Sequence, residues 1–246
     1  MLEELKERVC LANKELFARG LAQFTWGNAS EIDREKGIVC IKPSGVPYDE
    51  LTPRHMVLLD LNGNAVEGEL NPSSDMPTHL ALYRAFPGLG GMVHTHSRWA
   101  TVWAQAGRDI PCYGTTHADT FLGKIPCTRP LTDEEIAGEY ERETGNVIIE
   151  RFHKLDPANM PAALVYGHGP FAWGKDASDA VYHAAVLEEV AMMAWHTEAL
   201  PETSARHHIS KALINRHFFR KHGEGATYGQ PGGAPGSQAE SGEEGK

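Results

Sequence analysis

The sequence lacks the features that mark secreted, membrane-spanning and nucleic-acid-binding proteins. Only four cysteines are present, without CxxC spacing, which favours a reduced, cytoplasmic protein over a disulfide-bonded secreted one. No window is apolar over the length of a membrane span, and residues 1–8 lack the apolar core of a signal peptide. With 23 Lys and Arg against 33 Asp and Glu, the net charge is −10. We therefore expect neither a membrane nor a nucleic acid as partner.

The bulk composition suits a single globular domain. The chain has 246 residues and 41% hydrophobic content, enough for a substantial core. We expect this domain to span residues 1–229. Residues 230–246 are mostly Gly, Pro, Ser, Gln and Glu, which bury too little apolar surface to fold, so they predict a flexible tail.

Local patterns predict an alternation of helices and strands. Apolar residues at helical spacing predict a first helix from Leu2 to Leu16, with Gly20 as its stop. Residues 29–33 and 38–41 form one predicted hairpin, and 56–61 and 65–67 a second. Further strands are expected at 91–96, 162–166 and 171–173, and helices at 78–85, 100–106, 131–140, 178–200 and 205–222.

Three histidines stand where a metal site can form. His94 and His96 end an apolar strand, and residues i and i+2 of a strand point to the same face. His168 lies in a tight Gly-Pro turn between two predicted strands. With the carboxylate of Asp75 they make a complete ligand set for zinc, with manganese or cobalt as alternatives.

Other interpretations of these residues stay open. Asp75 could instead cap the helix expected to begin near Thr78. A cupin-type metal site also begins with an HxH triplet, but it needs a glutamate a few residues later, and residues 97–101 contain none.

Three small polar loops are candidate anion sites. They are Gly27-Asn28, Ser44-Gly45 and Ser73-Ser74, and Lys42 adds a full positive charge. Backbone N–H groups next to glycine, together with hydroxyl donors, bind phosphate well. Each loop alone is more commonly a simple turn, so the prediction depends on all three occurring together near the histidines.

Candidate acid–base groups lie further along the chain. Asp119 follows the polar run Thr115-Thr116-His117-Ala118 and is either a proton shuttle or a loop cap. Tyr228 lies just before the tail and could pack against a neighbouring subunit. His217 and Arg220 share a helical face by their three-residue spacing.

Taken together, these motifs resemble a known family. The segments are FTWGN, IKPSGV, PSSDMPTH, GGMVHTHSRWA, GTTHAD, GEYERETGNVI, HGPFAWGK and RKHG…YGQ. From Met1 to about Gln230 the chain resembles the L-ribulose-5-phosphate 4-epimerases of the class II, metal-dependent sugar-phosphate aldolase superfamily. The resemblance implies an α/β fold with a central, mainly antiparallel sheet flanked by helices, and a cyclic homotetramer with active sites between subunits.

The resemblance also implies roles for individual residues. Asp75, His94, His96 and His168 correspond to metal ligands. Asp119 and Tyr228 correspond to catalytic proton donors and acceptors, and His217 and Arg220 to residues that approach the site from a neighbouring subunit. The substrate and phosphate loops correspond to Gly27, Asn28, Ser44, Gly45, Ser73 and Ser74, with Lys42 as the added charge.

The expected reaction is epimerisation of a phosphorylated pentulose, L-ribulose 5-phosphate, at C4 to D-xylulose 5-phosphate. The alternative is an aldolase of the fuculose- or rhamnulose-1-phosphate type, which has a glutamate where Asp75 stands and lacks the aspartate at 119. A non-catalytic scaffold such as the adducin head is a remote alternative, because such heads lack the metal histidines. Arabinose, ascorbate and xylulose use share the epimerase reaction, so the pathway stays open.

Overall fold

A seven-stranded antiparallel sheet forms the centre of the protein. The computed structural model describes residues 2–201, 208–222 and 226; Tyr228 and the predicted tail lie outside these residues. The strands in this part of the chain are β1 (Gly27–Asp33), β2 (Ile38–Ile41), β3 (Val57–Asp60), β4 (Ala65–Glu67), β5 (Gly91–Thr95), β6 (Ala162–Leu164) and β7 (Pro170–Gly174). Their order is β4-β3-β2-β1-β5-β7-β6, with antiparallel pairing between the neighbours. The predicted antiparallel sheet is confirmed.

Helices cover both faces of the sheet. They are α1 (Leu2–Ala18), α2 (Met76–Ala85), α3 (Arg98–Gln105), α4 (Thr115–Ala118), α5 (Asp133–Ala137), α6 (Tyr140–Arg151), α7 (Ala177–Ala199) and α8 (Lys211–Phe219). None of the described helices combines the length and apolar character needed to cross a bilayer.

Side-chain alternation along β1 separates the two helical layers. The carboxylate of Glu31 accepts from Arg8 of α1 and from the backbone N–H of Ala177 in α7. The neighbouring Ser30 points the other way and hydrogen-bonds His79 and Tyr83 of α2. Since successive side chains of a strand face opposite sides, α1 and α7 cover one face and α2 covers the other.

Several predicted boundaries differ from the structure. Gly20, with φ of 71°, follows the end of α1 as expected. The helix predicted for 131–140 begins correctly, with the Thr132 hydroxyl accepting from the N–H of Glu135, but it ends at Ala137. The helix α6 then follows and was not predicted. The predicted strand 91–96 ends at Thr95, so His96 lies one residue beyond β5.

Close packing against α2 explains the missed helix. Gly145 lies within α6, and a Cβ added there would be 2.7 Å from the Cβ of Ala81. The stretch Tyr140–Arg151 carries many charges and a glycine, so its local helical signal is weak. The contact with α2 supplies the stabilisation that propensity does not.

Candidate metal centre

The three predicted histidines converge at the end of the central strands. His94 lies in β5 opposite Phe171 of β7, and His168 precedes the first residue of β7 by two positions. The turn between β6 and β7 therefore places His168 beside His94. The Nε2 atoms of His94 and His96 are 3.1 Å apart, and one ligand atom from each of the three histidines lies within 4.8 Å of the others.

Hydrogen bonding determines which nitrogen of His94 is free to bind a cation. Its Nδ1 lies 3.0 Å from the carbonyl oxygen of Pro170, which can only accept, so Nδ1 carries the proton. The other ring nitrogen, Nε2, faces His96 and is the one that remains for a cation. Such a bond to the remote nitrogen is the usual way that a protein orients a metal-binding imidazole.

Burial keeps the neighbouring imidazoles neutral. Burial, together with the closeness of His94 and His96, lowers the pKa of His168 to about 3. The pKa of His96 is also lowered, again mainly by burial and then by His94. The Nδ1 of His168 is buried without a hydrogen-bond partner. Three imidazoles with converging nitrogens fit a zinc-type cation.

Asp75 brings a carboxylate to the same cavity. It occupies the N-cap position of α2, yet its side chain makes no capping hydrogen bond. Instead, Oδ2 accepts from the amide nitrogen of Asn28 at 2.7 Å. Burial acts to raise the pKa of Asp75, but His94, His79 and the Asn28 bond outweigh it, and the pKa lies below its ordinary value. The side chain is therefore an ionised carboxylate rather than a helix cap.

A cavity of about 490 Å³ joins the histidines to the polar loops. All the residues predicted for the three loops line it, together with Lys42, Asp75 and the three histidines. Five further lining residues received no predicted role: Thr25, Trp26, Pro43, Tyr140 and Glu141. All five lie in the segments FTWGN, IKPSGV and GEYERETGNVI, which belong to the family resemblance. The resemblance therefore pointed to these positions, although the chemistry of the single residues did not.

The loops around Lys42 and Ser73 are tied to each other. Ser44 N–H donates to the Asn71 carbonyl at 3.0 Å, and Ser73 N–H donates to the Lys42 carbonyl at 2.9 Å. These two amides are therefore not available to an anion. Gly45 and Ser74 differ, because no acceptor within the described residues takes their amide N–H.

Lys42 is a buried cation on the wall of this cavity. Only 2% of its surface is exposed, its ammonium donates to the Pro43 carbonyl at 3.1 Å, and it lies 5.0 Å from the ring centre of Tyr48. Burial lowers its pKa to about 8. A positive group held here without a carboxylate partner in the described structure is suited to an anionic ligand.

Asp119 belongs to a second cluster within the same chain. Arg220 Nη2 donates to both of its carboxylate oxygens, at 2.9 and 2.8 Å, and His217 Nδ1 lies 2.9 Å from Oδ1. Lys221 Nζ lies 3.3 Å from Oδ2. Burial acts to raise the pKa of Asp119, but Arg220 and then His217 more than offset it, and the pKa is lowered. None of these four side chains lines the cavity.

The chain matches one protein family over most of its length. The model of the class II aldolase and adducin N-terminal domain matches residues 7–195. A solved L-fuculose 1-phosphate aldolase has the same fold, with a TM-score of 0.74 and 23% identity over 88% of this chain and 95% of that one. YgbL from Escherichia coli, a candidate aldolase/epimerase/decarboxylase, is 25% identical (TM-score 0.69; 87% and 98% covered). L-fuculose-1-phosphate aldolase from Thermus thermophilus is also 25% identical (TM-score 0.62; 83% and 98% covered).

Proposed function

The chain belongs to the class II aldolase and adducin N-terminal domain family, and on that premise we propose that it is an L-ribulose-5-phosphate 4-epimerase. The observation that carries the proposal is the shared cavity. Three converging histidines and the carboxylate of Asp75 lie at one part of it, and the buried Lys42 lies on its wall. A small phosphorylated ketose needs both a cation site for its oxygens and an anion site for its phosphate.

The reaction requires more than the loss of a proton from C4. C4 is not adjacent to the C2 carbonyl of L-ribulose 5-phosphate, so a carbanion there has no stabilising group. Cleavage of the C3–C4 bond avoids this difficulty, because the charge left on C3 then delocalises onto the oxygen of the adjacent C2 carbonyl. Rotation of the aldehyde fragment followed by bond formation on its other face inverts C4.

We assign the cation to His94, His96, His168 and Asp75. A divalent ion, with zinc as first choice and manganese or cobalt as alternatives, would act as a Lewis acid toward the negative charge that forms on C3–C4 cleavage. The structural fit rests on the Nε2 of His94, which remains for a cation, and the unpartnered Nδ1 of His168.

Lys42 and the small polar loops would hold the phosphate through the reaction. The aldehyde fragment, glycolaldehyde phosphate, must turn without leaving. The ammonium of Lys42, the hydroxyls of Ser44 and Ser74 and the amides of Gly45 and Ser74 can retain it by its phosphate while its aldehyde end rotates. Retention of this fragment is what separates an epimerase from an aldolase.

Asp119 and Tyr228 would handle the proton of the C4 hydroxyl on opposite faces. Asp119 has a lowered pKa, so at neutral pH it is ionised, which is the form that a base requires. Because it does not line its own chain's cavity, we propose that it reaches the cavity of an adjoining subunit in a cyclic homotetramer. His217 and Arg220 would orient it there. Tyr228 lies outside the described residues, and its role rests on the resemblance alone.

The second candidate is a class II aldolase that releases its products. The fold shared with proteins named L-fuculose 1-phosphate aldolase favours it. Against it stand the aspartate at position 75, where the resemblance implies glutamate in such aldolases, and the aspartate at position 119.

Product analysis with defined metal content tests the proposal. We expect zinc-loaded protein to convert L-ribulose 5-phosphate to D-xylulose 5-phosphate, with dihydroxyacetone released only in traces. Chelation should abolish turnover, and zinc or manganese should restore it. Free dihydroxyacetone as the main product would establish the aldolase instead, and full activity after rigorous metal removal would refute the role assigned to the histidines.

A further inference from the structure

His96 is the least constrained of the three histidines. It lies one residue beyond β5, and it is the most exposed of the three. The Pro170 carbonyl holds the Nδ1 of His94, but no hydrogen bond to the Nδ1 of His96 occurs within the described residues. The direction of the His96 ring therefore depends on how the backbone is held on either side of it.

The backbone after His96 enters α3, and the start of this helix has no local cap. Ser97 is the N-cap residue of α3, yet its side chain makes no capping hydrogen bond. The first backbone N–H groups of a helix have no partner within the helix, so they need an acceptor from elsewhere. An N-cap side chain commonly provides it, and here another residue must do so.

A carboxylate from a different helix takes the place of the missing cap. Glu188 lies at the middle of α7, and its two carboxylate oxygens accept from the backbone N–H groups of Trp99 at 2.8 Å and Ala100 at 3.0 Å. These are the second and third residues of α3. A carboxylate at a helix N-terminus also interacts favourably with the helix dipole. Glu188 therefore holds the start of α3 against α7.

A second contact between the same two helices lies farther from the histidines. The indole N–H of Trp103 donates to the carbonyl of Ala191 at 3.0 Å, one turn further along α3. This contact fixes the body of α3 on α7, whereas the Glu188 contact fixes the helix start, three residues after His96.

We propose that Glu188 is a positioning residue for His96. By fixing the start of α3, it fixes the backbone from which the His96 imidazole reaches the cation. The inference rests on the cation site of the proposed function and deepens it, since it adds a residue of α7 that does not line the cavity. Glu188 acts on the site through the backbone, without touching a ligand.

Zinc affinity of the full-length protein, measured by competition with a chelator, tests this role. Glu188→Ala leaves both N–H groups without their acceptor. It should bind zinc about tenfold more weakly, the lower end of the loss that is usual when support for a metal ligand is removed. Glu188→Gln keeps one oxygen acceptor and should recover part of this loss.

Asp176→Ala is the matched control for a general loss of stability. Asp176 caps α7 by accepting from the N–H of Asp179. Its backbone packs against Gly91, the first residue of β5, whereas the histidines lie at the other end of that strand. Both alanine variants should unfold at lower urea concentration, but Asp176→Ala should bind zinc within about twofold of the wild type, because it removes a cap far from the site.

Cobalt in place of zinc gives a second measurement. The visible absorption of bound cobalt changes with the number and geometry of its ligands, so it reports whether His96 is still in place. The spectrum of Glu188→Ala should differ from that of the wild type, and the spectrum of Asp176→Ala should not.

Clear outcomes would overturn the inference. Wild-type zinc affinity in Glu188→Ala would show that Glu188 stabilises the fold alone. An equal loss of zinc affinity in Asp176→Ala would assign the effect to stability. If Glu188→Ala does not fold, Glu188→Gln carries the same comparisons. A wild type that does not bind zinc would refute the cation site and this inference with it. If it binds zinc but does not convert L-ribulose 5-phosphate, the proposed function fails, and the binding results still decide the role of Glu188.

Discussion

Co-expression of two inactive variants should restore activity if each site is shared between subunits. The structure divides the proposed catalytic groups into two sets within one chain: the histidine cavity, and the Asp119 cluster that does not line it. His96→Asn disables the first set and Asp119→Asn the second. Asp119→Asn alone should lose at least about 10²-fold in turnover, since a general base contributes about 10²–10⁴-fold. His96→Asn should lose at least as much, because it removes a proposed ligand of the required cation.

The expected recovery follows from random mixing. In a ring with head-to-tail interfaces, a working site needs an intact cavity from one chain and an intact Asp119 from its neighbour. Each condition holds with a probability of about one half when the two chains are equally abundant. About a quarter of the sites would then be complete, at least 25-fold above either variant alone.

The assay uses two affinity tags, so that only mixed oligomers are purified, and it measures turnover of L-ribulose 5-phosphate. Co-expressed His94→Asn and His96→Asn form the matched control: both changes lie in the cavity set, so no mixed ring contains a complete site. If verified mixed oligomers of the Asp119 and His96 variants stay as inactive as the single variants, the shared-site hypothesis is refuted.

Three further predictions concern stability, the metal site and the tail. Burial lowers the pKa of His117 to about 4, so between pH 6.5 and 4 the unfolded chain binds a proton that the folded protein does not. From pH 7 to 5 this should cost about 2 kcal/mol of unfolding free energy, and urea melts should show a smaller loss for His117→Gln. Gly169 follows His168, and Gly169→Ala would place a Cβ 2.8 Å from the Thr95 carbonyl oxygen, so the turn that holds His168 would have to shift. Zinc binding, measured by competition with a chelator, should weaken about tenfold or more. Gly88→Ala, which has open space around its added Cβ, should leave zinc binding unchanged. Truncation after Gln230 should leave turnover and oligomer size unchanged; a large drop in either would reveal a role for the tail.

Local sequence patterns were enough to predict that three histidines converge at a candidate metal centre. Residues His94 and His96 are two positions apart at the end of an apolar strand, and His168 lies in a turn that leads into the neighbouring strand. Strand periodicity and turn preferences depend on only a few neighbouring residues, so the direction of these side chains can be predicted from the local sequence. The same reasoning located the polar loops, all of which line the cavity.

Contacts between distant residues decided the rest. The sequence did not reveal that Asn28 turns its amide nitrogen to Asp75, that the amides of Ser44 and Ser73 are used within the loops, or that α6 packs against α2. Nor did it show that Asp119 pairs with Arg220, 101 positions away, outside its own cavity. The sequence by itself determined which donors the protein carries. Only the tertiary structure decided which of them are already paired and which remain for a ligand, because a hydrogen bond depends on where packing places both partners.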